Sequence, residues 1–441
     1  MNSPTEPSPP SAHIAGSEGL EKTRLKLGFI PLTDCAPLVI ALEKGLFRKH
    51  GLDVELYRQM SWASIRDKVA AGALDGAHML AAMPLATTLG LGAIKAPLVA
   101  ALSLDLNGNA ITVSKGLYRR MVDADPEAAS NRSLTARALA RVIGADHAAC
   151  REPMRFAMVF PYSAHNYLLR YWLAAVGIAP DRDVRLTVVP PPYMVEALRS
   201  GEIDGYCVGE PWNEQAVAEG AGRSLVTSQE IWANHPEKVF GVTQEWAERH
   251  PNTHKAALMA LLEACAWIDR PENRPEVSEI LAREEYVNAA PEVVSLSMGG
   301  SFRFDTDEEP VAMSDFNVFH RFAANFPWQS HAVWFITQMV RWGQIAEPVN
   351  IRQAAEQVYR PDLYREAARE LGFTFPTLNY KTEGLHDEPQ HLEAAAASLR
   401  LGPDCFCDGR VFDPADPVGY LAGFEIHNLQ LYLDDLARVN P

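Results

Sequence analysis

The stretch Gly201-Glu-Ile-Asp-Gly-Tyr-Cys-Val208 (GEIDGYCV) repeats in outline an earlier one, Gly72-Ala-Leu-Asp-Gly-Ala-His-Met79 (GALDGAHM). Each copy follows a short helical pattern, Ser64–Ala71 in the first case and Met194–Ser200 in the second. Each then runs into apolar residues of strand character. A helix, Gly-x-[Leu/Ile]-Asp-Gly and a strand, written twice far apart, predict two α/β halves of similar topology facing each other across a cleft. In open α/β sheets the crevice beyond the carboxyl ends of the strands is where ligands sit.

Outward from the repeat, the chain keeps alternating strand and helix. Leu25–Ile30 reads as a strand, and Asp34 could cap a helix from Cys35 to Lys44. Leu52–Arg58 alternates like a strand, and strand Pro97–Leu104 follows a helix that starts near Met83. Beyond Gly108 come strand Ile111–Val113, helix Leu134–Ile143, strand Arg155–Phe160, helix Ala164–Val176 capped by Ser163, and strand Val184–Val189. This order predicts mainly parallel sheets with helices on their faces. After strand Val239–Val242 the texture changes to longer helical patterns at His254–Ile268, His331–Trp342 and Ile351–Val358. The expected division is a disordered tail (1–24), lobe I (25–112 and 236–376), lobe II (113–235), and a loop-rich C-terminal extension (377–441) with a last helical pattern at Leu429–Arg438.

Bulk properties exclude several classes of function. The 441-residue chain carries a net charge of −16 and no basic stripe, which argues against a nucleic-acid surface. Its 47% hydrophobic and 22% charged content is ordinary for a soluble globular protein. The first 24 residues are rich in Pro, Ser and Glu and hold no apolar core of signal-peptide length, so a cytoplasmic protein is expected. The six cysteines are scattered, and Cys405-Phe-Cys407 has no ligand-spaced partner; neither disulfides, a metal nor a cofactor is expected. There is no Gly-x-Gly-x-x-Gly, Walker A loop, Gly-x-Ser-x-Gly or His-Glu-x-x-His, which points to a binding protein and not an enzyme. The acidic run Asp305–Glu309 reads as a solvated loop.

Four residues at expected strand ends and crossovers share one property. Trp62, Asn109, His165 and Lys238 are all hydrogen-bond donors or cations, and His165 falls at a helix N-terminus, where anions are favoured. A small planar oxyanion needs donors around its rim and one countercharge, with no acceptor opposing it. Thr33, Asp34, Ser163, Gly209 and Glu210 are expected to line the same cleft.

At these stretches the sequence resembles the nitrate/bicarbonate-binding proteins of ABC importers. The resemblance rests on Leu27-Gly-Phe-Ile-Pro-Leu-Thr-Asp-Cys-Ala-Pro37, Glu43-Lys-Gly-Leu-Phe47, Ser61-Trp-Ala63, Leu74-Asp-Gly-Ala-His78, Asn107-Gly108, Tyr171-Trp-Leu-Ala174, Val208-Gly-Glu-Pro-Trp-Asn213 and His235-Pro-Glu-Lys-Val-Phe-Gly241. It implies a type II periplasmic-binding-protein fold. It also implies a nitrate site in which a Trp, a Gln, a His and a Lys hold the anion; Trp62, His165 and Lys238 match, and Asn109 stands where the Gln would be. Bicarbonate carries an O–H that wants an acceptor, so Lys238 and His165 favour an anion that only accepts. Within the family the chain is similar to the cytoplasmic branch, nitrate/nitrite sensors paired with an ANTAR-type antiterminator protein. The alternatives are the substrate-binding subunit of an importer and, from another class, a thiamine-pyrimidine synthase with a cofactor on a Schiff-base lysine.

Overall fold

The computed structural model describes residues 18–395 and 397–440. Ten strands form the body of its two main sheets: β1 (Arg24–Phe29), β2 (Asp53–Arg58), β3 (Gly76–Leu80), β4 (Leu98–Asn107), β5 (Asn109–Ser114), β6 (Met154–Met158), β7 (Val184–Val188), β8 (Gly205–Gly209), β9 (Gly222–Thr227) and β10 (Pro236–Thr243).

The repeated Asp-Gly unit is built the same way in both places. Each preceding helix ends just before a glycine in the left-handed region, Gly72 at φ 71° and Gly201 at φ 75°, where a Cβ would cost about 1–2 kcal/mol. Each aspartate then caps the neighbouring parallel strand. Lys26 N donates to Asp75 Oδ2 at 2.9 Å, and Arg155 N donates to Asp204 Oδ2 at 2.8 Å. The backbone answers in kind, with Asp75 N to Lys26 O at 2.8 Å and Asp204 N to Arg155 O at 2.7 Å. The second glycine opens the strand where there is no room for a side chain. A Cβ at Gly76 would stand 2.9 Å from Phe240, and one at Gly205 would stand 2.6 Å from Phe156.

Two sheets result. The first has six strands, in which β4, β10, β3, β1 and β2 lie side by side and the two-residue strand Asn317–Val318 flanks β4. The second has five strands in the order β7-β6-β8-β5-β9. Sequence reading predicts mainly parallel sheets, but both are mixed. β1 pairs in parallel with β2 and β3, and β6 with β7 and β8. Each sheet also takes in the strand that arrives from the other lobe, and that strand runs antiparallel: β10 beside β3 and β4, and β5 beside β8 and β9. A chain that crosses from one lobe enters the other sheet at its cleft end, opposite in direction to the βαβ strands, which finish there. The correspondence extends to register, since Lys238 pairs with Leu80 and Asn109 with Gly209, the last residues of β3 and β8.

Several boundaries differ from the sequence reading. The first crossing lies at Gly108, not after residue 112, because β5 already belongs to the second sheet at Asn109. Two successive residues in the left-handed region, Asn107 at φ 66° and Gly108 at φ 86°, turn the chain there. Residues 1–17 of the expected tail lie outside the described residues. Residues 18–24 are not a loose tail: Glu21 accepts from the backbone of Asn252 and Thr253, and Lys22 pairs with Asp75. Asp305 leaves the acidic run to sit buried between Lys115 and Arg223, while Thr306–Glu309 stay exposed. The final helix covers Leu433–Val439, and Leu429–Tyr432 precede it without helical structure.

The C-terminal extension bridges both lobes. Phe406 stacks on Trp232 at 4.9 Å between ring centroids, and Tyr171 donates to Asp408 at 2.8 Å. On the other side Gln329 N donates to Asn379 O at 2.9 Å, and Arg341 holds Ile426 O. No helix among the described residues is long and apolar enough to cross a membrane.

Candidate functional site

The four donors read from the sequence come from four separate elements and meet at the junction of the lobes. Trp62 opens helix Trp62–Ala70 behind its Ser61 cap, and Asn109 is the first residue of β5. His165 lies in the first turn of helix Ala164–Ala174, and Lys238 is the third residue of β10. Trp62 is 1% exposed and the other three are fully buried.

What joins three of them, Asn109, His165 and Lys238, is a residue the sequence reading did not pick. The Glu237 carboxylate accepts from Asn109 Nδ2 at 2.8 Å and from Lys238 Nζ at 2.6 Å, and it lies 3.3 Å from His165 Nδ1. Lys238 Nζ also donates to Asp34 Oδ2 at 2.6 Å, and Asp34 Oδ1 is 2.8 Å from His78 Nε2. Beneath this layer, Asp105 accepts the Lys238 backbone N–H at 2.9 Å. The expectation of donors with no opposing acceptor is therefore corrected: two carboxylates stand among them. His78, Asp105 and Glu237 did leave signals. Asp105 lies in the alternation Ser103, Asp105, Asn107 along an otherwise apolar strand, and His78 and Glu237 fall inside the motifs that carry the family resemblance.

Burial and pairing set the charges. Burial works against ionised Asp34, but Lys238 and His78 outweigh it and hold its carboxyl below the usual range. Burial likewise opposes the Glu237 charge; His165 and His235, once charged in acid, join Lys238 in holding its carboxyl below the usual range. Lys238 would lose its proton to burial alone, yet Asp34 and Glu237 keep it firmly cationic. Asp105 is pushed well up, by burial first and by the Asp34 charge second, and is the protonated member. Burial lowers His165 to about 4 against the pull of Glu237, so its imidazole is neutral at pH 7. Two carboxylates against one ammonium leave the cluster with one net negative charge.

Some donors remain without partners in the protein. Trp62 Nε1 and His165 Nε2 are buried and unbonded, and buried polar groups in native proteins are nearly always satisfied. The Lys238 ammonium lies 5.6 Å from the centroid of the Trp62 ring.

The expected cleft residues divide. Thr33 and Glu210 tie the lobes together, Thr33 N donating to Glu210 O at 2.8 Å. The Glu210 side chain turns away to accept from Asn213 Nδ2 at 2.9 Å, so it lines the cleft only through its backbone. Ser163 caps its helix by accepting from Asn166 N at 3.1 Å while donating to Phe160 O, which occupies its hydroxyl. Asp34 makes no helix cap, because its carboxylate is taken by Lys238 and His78. At Gly209 a Cβ would come within 3.3 Å of Asn109 and 3.4 Å of Asp34, so glycine lets the two lobes close up there.

The comparisons with known proteins agree with this architecture. A model of the NMT1-like family matches residues 18–282. The nitrate import ATP-binding protein NrtC of Synechocystis sp. (strain PCC 6803) is 42% identical over 97% of this chain. The bicarbonate transport ATP-binding protein CmpC of the same organism is 43% identical over 93% of it. The chain spans only 60% and 56% of the length of those two relatives. The crystal structure of the periplasmic nitrate-binding protein NrtA from Synechocystis PCC 6803 superposes with a TM-score of 0.79 at 32% identity, covering 92% of this chain and all of that one. With two lobes, crossing strands that start at the cleft, and a family match over more than half its length, this chain belongs to the NMT1-like family and has the fold of a periplasmic binding protein.

Proposed function

We propose that the chain binds a small oxyanion, nitrate or nitrite first, between its lobes, as the substrate-recognition part of an ABC-type import system. The observation that carries this reading is the gathering of Asn109, His165 and Lys238 around Glu237, with the Trp62 ring 5.6 Å from the Lys238 ammonium and with Trp62 Nε1 and His165 Nε2 buried without partners. The likeness to NrtA supports the choice of anion.

The site works by exchange. A carboxylate and a nitrate ion are both flat groups that present oxygens at similar spacing, and Glu237 takes the same donors, Asn109 Nδ2 and Lys238 Nζ, that an oxyanion would take. A nitrate ion displaces Glu237 from those donors and adds bonds from Trp62 and His165. Charge favours the same event when a proton comes with the anion, and His165 is the neutral base placed to receive it. Lys238, kept cationic by two carboxylates, is a countercharge and not a nucleophile, which weighs against the Schiff-base alternative.

A second ligand has two observations in its favour. Bicarbonate could donate its O–H to Asp34 or Glu237, and three relatives are named for bicarbonate transport. The regulatory version of the reading, a cytoplasmic sensor that releases an ANTAR-type antiterminator, uses the same anion switch and differs in what the liganded form engages. The relatives' names favour transport over it.

Isothermal titration of the anion-stripped chain with nitrate, nitrite, bicarbonate and chloride tests the proposal. Saturable nitrate or nitrite binding with silence for bicarbonate is expected. Bicarbonate binding alone moves the site to the second ligand, and silence for every anion refutes the assignment.

A further inference from the structure

A second cation is buried away from the junction of the lobes. Arg341, at the end of helix Gln329–Arg341, is 2% exposed. Its Nε and Nη2 donate to Ile426 O at 3.2 and 3.1 Å, while Nη1 is buried with no partner. The guanidinium lies 3.5 Å from the centroid of the Phe424 ring, 4.4 Å from that of Trp342 and 5.5 Å from that of Tyr171. Arg341 makes no ion pair among the described residues. One carboxylate on the cavity wall, Asp408, is already engaged. It accepts from Tyr171 Oη at 2.8 Å and pairs with Arg410 at 3.2 Å.

An unneutralised buried guanidinium is costly, and removing a charge from water is offset only by pairing and hydrogen bonding. Aromatic faces recover part of that cost but leave Nη1 unbonded. Beside Arg341 lies a cavity of about 440 Å³ that is also lined by Tyr171, Asp408, Arg410, Phe424 and Glu425. It is bounded by a helix of the second lobe, the end of helix Gln329–Arg341 and the C-terminal extension. The Arg410 guanidinium lies 4.4 Å from the Phe424 centroid, on the same aromatic wall. Glu425 is exposed and leaves its charge in water.

We propose that this cavity is a second anion site, which takes the carboxylate of a small organic acid on Arg341 and Arg410 with its carbon skeleton against Phe424 and Tyr171. A guanidinium fork matches a flat carboxylate in a bidentate way, and the edges of Phe424 and Tyr171 on the cavity lining leave the carbons some apolar surface. The site is independent of the inter-lobe junction: its polar groups come from Tyr171, Arg341 and the extension, and none is shared with Lys238 or Trp62.

Calorimetric titration of the full chain with succinate, and in a parallel arm with inorganic phosphate, tests the proposal. Saturable succinate binding is expected, unchanged in Trp62→Phe, weakened at least about tenfold in Arg410→Gln and lost in Arg341→Met. Glu425→Gln should leave succinate affinity unchanged or raise it. Arg410 is partly exposed, so its variant decides the matter even where Arg341→Met does not fold. Silence for succinate, binding of phosphate alone, or succinate affinity unaffected by Arg410→Gln overturns the assignment.

Discussion

The two lobes meet at the junction with the same scaffold and opposite chemistry. On the first, the strand after Asp75 brings His78 to the cleft end, and β10 and the loop after β1 add Glu237, Lys238 and Asp34. On the second, the strand after Asp204 brings Cys207, a buried thiol pushed well up by burial. The rest of that face is Asn109 and neutral His165. Formal charge is thus concentrated on lobe I, and lobe II closes over it with neutral dipoles. A duplicated backbone can keep its hydrogen bonds and its turn glycines while the position three residues past the aspartate changes from imidazole to thiol. The scaffold decides where a side chain arrives, and the side chain decides what arrives.

Acid should break this contrast by charging His165 on the neutral side, and together with other buried histidines it carries the largest expected effect. His165, His235 and His254 are each lowered to about 4, burial being the first cause. Their unfolded forms take up protons near 6.5, so the unfolded state binds more protons between about 6.5 and 4 and stability falls as pH falls through that window. Each is worth roughly 3 kcal/mol at the acid limit. Asp34, held low in the fold, loses its contribution in the same direction. Urea unfolding at stepped pH should show this loss, and a flat profile from pH 7 to 5 would remove the neutral-imidazole premise.

Removing the charge on lobe I is the next largest change. Lys238→Ala leaves Asp34 and Glu237 buried without their cation, at a cost of about 3–5 kcal/mol in stability. It should also abolish measurable nitrate binding. Both are readable by chemical denaturation and calorimetry, and wild-type behaviour in either would contradict the assigned role.

The two aspartates provide a matched pair. Asp75→Asn and Asp204→Asn each disturb a strand cap, worth about 1–3 kcal/mol. The loss should be greater at Asp75, which also accepts from Lys22 Nζ at 2.5 Å and Trp246 Nε1 at 2.9 Å. Equal losses in denaturation midpoint would show that those extra bonds contribute nothing. A smaller effect on binding is expected from Trp62→Phe, which keeps an aromatic ring but removes the pyrrole half of the indole and with it Nε1–H. Nitrate affinity should drop by about 1 kcal/mol, and the cavity left at this buried position should lower stability as well.

Much of this was legible in the sequence because it depends on local rules. Left-handed glycines, an aspartate that returns to cap a strand, and a serine at a helix start act within a few residues, and the Asp-Gly repeat exposed the duplication. The antiparallel crossing strands were not legible, because direction depends on which lobe a strand arrives from. Asp34 was expected at the cleft, but Glu237 was missed for a related reason. Glu237 is adjacent to Lys238 in sequence, and a Glu-Lys pair on a strand usually points to opposite faces. Here both charges reach one point, and register shifts interrupt the β10–β4 pairing on both sides of Lys238. The bridging role of the extension was hidden too, since nothing local in residues 377–441 indicates that Phe406 will find Trp232.

The central claim is that a small oxyanion takes the donors that Glu237 now holds. Nitrate titration of Glu237→Gln beside the wild type tests it most directly. The amide keeps the shape and removes the competing charge, while Lys238 keeps its bond to Asp34 at 2.6 Å. The account predicts tighter nitrate binding in the variant, with a weaker dependence on pH. Loss of nitrate binding in a folded Glu237→Gln protein would mean that the carboxylate itself holds the ligand, and that the site selects a molecule able to donate a hydrogen bond.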